Sequence, residues 1–299
     1  MLATTFPHQL HKGKPNLHSF FSNKTIQSLI RRTSLSLNNI ALSNYIIQTI
    51  PQYHNYFLPI ESYKNVTFDN NKTEFIIITI KQLNTTSPFF FLDSNSNNER
   101  KTMHTYFNSL KTLLEICSIM QQYKFIHLNI QKNAVQYIHD TPYIHDFSRS
   151  FLLKTLTEER KSILFQMYNP DSIHLPPSYH ILCYMTQNGL KSPSQGTIDY
   201  ILQEYLNHAI QQGIPFSEEE LLQFRESWTH YLTNHQTVFK ICTSWDTYSV
   251  LLLYIQQIPR VKQYCPYLEK IRKFLIHVVL CYPSYSLHDI RILLNTLIF

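Results

Sequence analysis

The residues best equipped for chemistry lie between positions 123 and 151, in the segment YKFIHLNIQKNAVQYIHDTPYIHDFSRSF. It brings together the imidazoles of His127, His139 and His145, the carboxylates of Asp140 and Asp146, and the amides of Asn129 and Asn133. A carboxylate can bind a divalent cation or receive a proton, whereas an amide can hold a hydroxyl by hydrogen bond but cannot take its proton. Two short apolar runs, 135–137 and 142–144, flank the turn His139-Asp140-Thr141 and read as a hairpin. Alternation along its strands sends His139, Asp140, His145 and Asp146 in diverging directions, which argues against a shared metal centre. Asp146 by itself has two readings: a ligand for one divalent cation, or a solvated, cap-like acid beside the hairpin.

Several other chemistries are excluded or disfavoured by composition. The 299 residues include only 4 glycines, against roughly 20 in an average chain of this length. Gly13, Gly189, Gly196 and Gly213 are too far apart to form either glycine-rich phosphate loop as usually written. The five cysteines, Cys117, Cys183, Cys242, Cys265 and Cys281, contain no C-x-x-C pair. They read as buried free thiols of a reducing compartment. The net charge is +6, but the basic residues are scattered, and the tightest pair, Arg31-Arg32, is too small for a nucleic-acid stripe. Asn-x-Thr sequons at 23, 65, 71 and 84 are what an Asn- and Thr-rich chain produces by chance, and the first residues have no apolar signal core. No apolar run approaches the length of a membrane span. These features predict a soluble, intracellular protein without a membrane partner. At 43% hydrophobic and 14% aromatic, the chain has ample material for a packed core.

The elements that must position the segment divide by composition. Residues 1–22 read as an irregular arm and 23–84 as a small β-rich lobe. That lobe has strands at 25–33, 56–63 and 74–83, with a helix at 37–50 stopped by Pro51. The run Phe75-Ile76-Ile77-Ile78-Thr79-Ile80 is nearly continuous and β-branched, which predicts a buried central strand. A linker over 85–104 contains Phe89-Phe90-Phe91, read as core packing at the lobe junction. From 105 to 299 the pattern is helical, with helices at 105–123, 157–168, 197–212, 217–234, 246–257, 266–280 and 286–298. The Ser217-Glu218-Glu219-Glu220 sequence is a helix start, a Ser cap with acids against the helix dipole.

The 123–151 segment resembles the H-x-D-x-K-x-x-N catalytic loop, hairpin and D-F-G motif of protein kinases. More narrowly, it is similar to the kinase-like proteins of large DNA viruses. Three further segments resemble kinase features in the same order: 39–60 the small-lobe helix and following strand, Ser244-Trp245-Asp246-Thr247-Tyr248-Ser249 the start of the central large-lobe helix, and 281–290 the N-P-x-x-R-x-S helix entry. The resemblance covers about residues 25–299. It implies an α+β, bilobal protein-kinase-like fold with a small β-rich N-lobe and a larger α-helical C-lobe, carrying a helical insertion at about 197–234.

Position by position, the resemblance also implies degenerate machinery. Phosphoryl transfer needs a lysine on the phosphates, Mg²⁺ held by Asp and Asn, and a carboxylate at the hydroxyl. Asn129 stands at the base position, Gln131 at the loop lysine, and Ala134 at the second metal ligand, with Asn133 one residue early. Asp146 is kept as the metal-binding acid, and Ser148 replaces the glycine after Phe147. Ser28 falls at the phosphate-lysine position with Arg31 nearby, and Asn39 near the position of its Glu partner. An acid is missing near Leu175-Pro176-Pro177, and Tyr285 stands where its arginine would be. His127 and Phe147 are implied to pack in the core, and Asp246 to hydrogen-bond the catalytic-loop backbone. The reading is a pseudokinase that binds or scaffolds a viral or host protein, in the infected cell or the virion. Mg-ATP is the cofactor if any binding is retained. The alternatives are a divergent active serine/threonine kinase and an unrelated α+β interaction protein.

Overall fold

A computed structural model of the chain describes residues 25–67, 74–81, 99–138, 140–214, 216–233, 242–258, 266–282 and 285–296. The arm at 1–22, the Phe89-Phe90-Phe91 run, His139 and Cys265 lie outside the described residues, as does most of the linker. The protein mixes strands and helices, with the strand-rich part near the N-terminus and helices dominating the rest. It divides into two compact units: Met1–Ser87 with Asn133–Ser150, and Pro88–Lys132 with Phe151–Phe299.

The first unit is built on an antiparallel sheet of β1 (Thr25–Arg31), β2 (Ile60–Thr67) and β3 (Glu74–Lys81), in the order β1-β3-β2. The isoleucine-rich β3 is therefore central. It is buried on one face only: Ile76 and Ile78 are buried with Ile40 and Ile60, while Phe75, Ile77 and Thr79 are half-buried. The strand is central and buried as the run predicts, on the face that the helix α1 (Ser34–Thr49) covers. Thr33 caps α1 by accepting from Ser36 N–H at 3.1 Å, while Thr33 N–H donates to Ser36 Oγ at 2.8 Å. The second strand starts at Ile60, later than its pattern suggested. Tyr53–Asn55 form a 3₁₀ turn, and Pro59 has no N–H for a ladder.

The hairpin of β5 (Val135–Ile138) and β6 (Thr141–Ile144) groups with this first unit, although it follows the linker in the chain. The backbone explains why: Leu58 N–H donates to Ile144 C=O at 2.9 Å, and Ile144 N–H to Tyr56 C=O at 3.1 Å. Phe57 packs edge-on to Phe147, with ring centroids 6.1 Å apart.

The second unit contains α2 (Glu99–Gln122), the two-residue strands β4 (Phe125–Ile126) and β7 (Phe151–Leu152) paired antiparallel, and seven further helices among the described residues. These are α3 (Glu158–Phe165), α4 (Pro177–Gln187), α5 (Gln195–Gln211), α6 (Glu218–Leu232), α7 (Trp245–Ile255), α8 (Pro266–Leu280) and α9 (Leu287–Thr296). Every residue of α7 is buried. Trp245 opens it inside an aromatic cluster with Phe165 and Tyr179, and its indole N–H donates to Ser178 Oγ at 3.0 Å. At α6 the predicted start is present as a reciprocal capping box between Ser217 and Glu220. None of the helices is long and apolar enough to cross a membrane, among the described residues.

One-sided burial of β3 predicts unequal responses to truncation. Ile76→Ala should cost about 2–5 kcal/mol in urea unfolding, as buried isoleucines do, and Ile77→Ala less than half of that. Equal losses would contradict the one-sided sheet.

Candidate functional site

The chemically distinctive residues form two constellations, one in each unit. In the second unit the loop from His127 to Gln131 follows β4 and is tied down from its far side by Asp246 in the first turn of α7. The Asp246 carboxylate accepts from His127 N–H at 2.8 Å and from Leu128 N–H at 3.0 Å. Leu128 adopts φ +59°, a left-handed backbone that non-glycine residues seldom take. The two amides thereby turn towards one acceptor. Asn129 N–H donates to His127 Nδ1 at 3.3 Å, which puts the proton of the neutral ring on Nε2. Asn129 is half-buried, and its Oδ1 accepts from Gln131 Nε2 at 2.6 Å.

Burial pushes the Asp246 carboxyl up to about 7, while the two amides pull in the opposite direction. The neighbouring thiols are pushed up by burial and by the Asp246 charge, Cys242 to about 12 and Cys117 well above its ordinary value. Both stay protonated near neutral pH and are poor nucleophiles. No grouping of three or more His, Cys, Asp and Glu suited to a metal ion occurs among the described residues.

In the first unit the centre is Asp146, half-buried, at φ +61° and ψ +75°. It caps the short 3₁₀ turn Phe147–Arg149, with Oδ1 accepting from Ser148 N–H at 3.3 Å. Asn39, buried on α1, contacts the same place twice. Its Oδ1 accepts from Phe147 N–H at 3.0 Å and its Nδ2 donates to Asp146 Oδ1 at 3.5 Å. Phe147 itself is fully buried. His145, next to Asp146, is buried and pushed down to about 4, chiefly by burial, with the Asp146 charge and the Asn133 carbonyl pulling it back up. It is a neutral ring at pH 7.

Ser28 lies opposite Ile78 in the sheet, on the face that α1 covers, and is buried. Arg31 is three residues along the strand, hence on the opposite face, and exposed. Its neighbour Arg32 pairs with Glu74. Asn133 is exposed in the turn Lys132–Ala134, and it is the buried Ala134 whose carbonyl accepts from His145 N–H at 3.0 Å. In the second unit, Tyr285 bonds its hydroxyl to His277 Nε2 at 3.0 Å. Sequence reasoning overlooked Asn38, beside Asn39, whose amide also reaches the turn after Asp146. The available signal was two consecutive amides in the first turns of an amphipathic helix, where side chains of that type ordinarily face water.

No family model matches the chain, and no curated protein matches it.

The Asp246 clamp makes two separable predictions. Asp246→Ala leaves the His127 and Leu128 amides buried and unpaired, which should cost about 2–4 kcal/mol; Asp246→Asn, keeping one acceptor oxygen, should cost less. A carboxyl raised to about 7 in the fold holds a proton that the unfolded chain releases near its ordinary value. Its contribution to stability is therefore greatest at low pH and falls as pH rises from about 4 to about 7. Urea midpoints across that range should show the stability gap between Asp246→Asn and the wild type narrowing as pH rises; a gap that widens would reverse the assignment.

Proposed function

We propose that this chain is a protein-kinase-like protein, of the kind carried by large DNA viruses, that has lost phosphoryl transfer and works as a binding or scaffolding module for a protein partner. The observation that carries the reading is the Asp246 clamp on the His127–Leu128 backbone. It is a buried acid spent on holding a loop in shape, where the side chain presented next, Asn129, cannot accept a proton. The first unit supports the same reading. Its turn at Asp146 is gripped by the neutral amide of Asn39, and Ser28, with no positive charge, occupies the strand position facing α1. Loss of a general base alone costs about 10²–10⁴ in rate. Here the base, the phosphate lysine and the second metal ligand are replaced together, by Asn129, Ser28 and Ala134.

One observation favours a second reading, a divergent active serine/threonine kinase. Asp146 retains a half-exposed carboxylate on a left-handed backbone, the sort of strained acid that functional sites keep. It is the side chain to which one Mg²⁺ of a bound Mg-ATP would be assigned.

The two readings separate in a phosphate-transfer assay with Mg-ATP and a generic protein substrate, run beside a thermal-shift titration. The expected result is no transfer above background, unchanged by Asn129→Asp alone because Ser28 and Ala134 still lack their groups. Transfer that vanishes in Asp146→Ala would establish the active kinase instead.

A further inference from the structure

The side chain of Asn38 is engaged more densely than any role in helix formation requires. From the first turns of α1, its Nδ2 donates to the carbonyls of Ser148 at 2.8 Å, Ser150 at 2.9 Å and Phe147 at 3.3 Å. All three acceptors belong to the turn that follows Asp146. Asn39 grips the start of that turn, with its Oδ1 on Phe147 N–H and its Nδ2 on Asp146 Oδ1. The two amides thus contact four of the five residues Asp146–Ser150, and neither amide carries a charge.

The segment needs such holding. Asp146 at φ +61° is in a conformation that costs a non-glycine residue roughly 1–2 kcal/mol, and it persists only where the surroundings over-determine it. The Phe147 ring, buried against Phe57, anchors the turn on its apolar side. Within the turn, Ser150 N–H returns to Phe147 C=O at 3.1 Å, and Asn38 adds side-chain donors to three of its carbonyls. Every donor and acceptor named in these contacts is a group of the chain itself.

We infer that Asn38 and Asn39 are positioning residues that latch the Asp146–Ser150 turn to α1 in a single conformation, independently of nucleotide and of divalent metal. The latch keeps this part of the first unit in its set shape permanently, so whatever recognises it meets the same surface in every ligand state. The inference goes beyond the functional reading above and stands on the first unit alone, whether or not the chain transfers phosphate.

Amide hydrogen exchange tests it directly at Phe147, Ser148 and Ser150. In the wild-type chain without ligand, these amides should be protected to within about tenfold of the sheet amides of Ile76 and Ile78. Saturating Mg-ATP should leave them unchanged. Asn38→Ser and Asn38→Asp, which remove the amide donor, should each speed their exchange roughly tenfold, with Ile76 and Ile78 unaffected. Loop-like exchange in the unliganded wild type would overturn the latch, as would protection that appears only with Mg-ATP. So would turn protection that survives both Asn38 variants. The unliganded wild-type measurement is decisive even if a variant fails to fold, and a positive phosphate-transfer assay would leave this outcome untouched.

Discussion

A single buried carboxylate sets the local geometry of the second unit. The loop after β4 bends through a left-handed residue, Leu128, and so has two consecutive amides that no strand can satisfy. Asp246 satisfies both. It stands in the first turn of α7, where the helix dipole favours negative charge, so one side chain serves the loop and the helix end together. Around it, α7 is buried along its whole length, and Trp245 fixes its start to α4 through Ser178. Removing the acid would leave unpaired donors at the centre of the helical core, where water cannot replace them.

The first unit solves a similar problem with amides. Asp146, Phe147 and the residues after them are held by Asn38 and Asn39, without an ion pair. Amide bonds of this sort carry shape without requiring any change of protonation, and they tolerate changes in salt that would weaken a Lys–Glu pair. The arrangement has the same logic as the Asn129–Gln131 bond in the second unit, where one amide satisfies another at 2.6 Å. Both places hold a conformation through uncharged amide side chains.

Regular features were readable from sequence, and compact or non-local ones were not. The β-branched run at 75–80 announced a central strand, and Ser217 with the acids after it announced a capped helix start, because both signals are local. Helix α4 escaped notice because Pro176-Pro177 reads as a breaker, yet Pro at the first helical position lacks only an N–H that would be unpaired anyway. The early turns of α2, from Glu99, have helix-compatible residues but no apolar period to mark them. Strands β4 and β7 are two residues long, too short for alternation. At the site, the resemblance to protein kinases singled out His127, Asn129, Asp146 and Asp246. The partners of Asn38 were not readable, since its three acceptors lie more than a hundred residues away in the chain and are backbone atoms that no sequence identifies.

The hairpin and the turn after it, 133–150, complete the first unit but arrive long after the sheet in the chain. During synthesis the sheet and α1 emerge first, with Phe57, Leu58 and both asparagines still waiting for partners. At about 5–20 residues per second, several seconds pass before Phe147 and Ser150 leave the ribosome. By then α2 and β4 of the second unit have already emerged. The nascent N-terminal piece is therefore an unfinished surface, apolar at Phe57 and unsatisfied at Asn38, and the protein is assembled by return of the chain to a part made earlier. A fragment ending at 87 would keep that surface unfinished indefinitely, because it lacks the residues 133–150 that complete the unit.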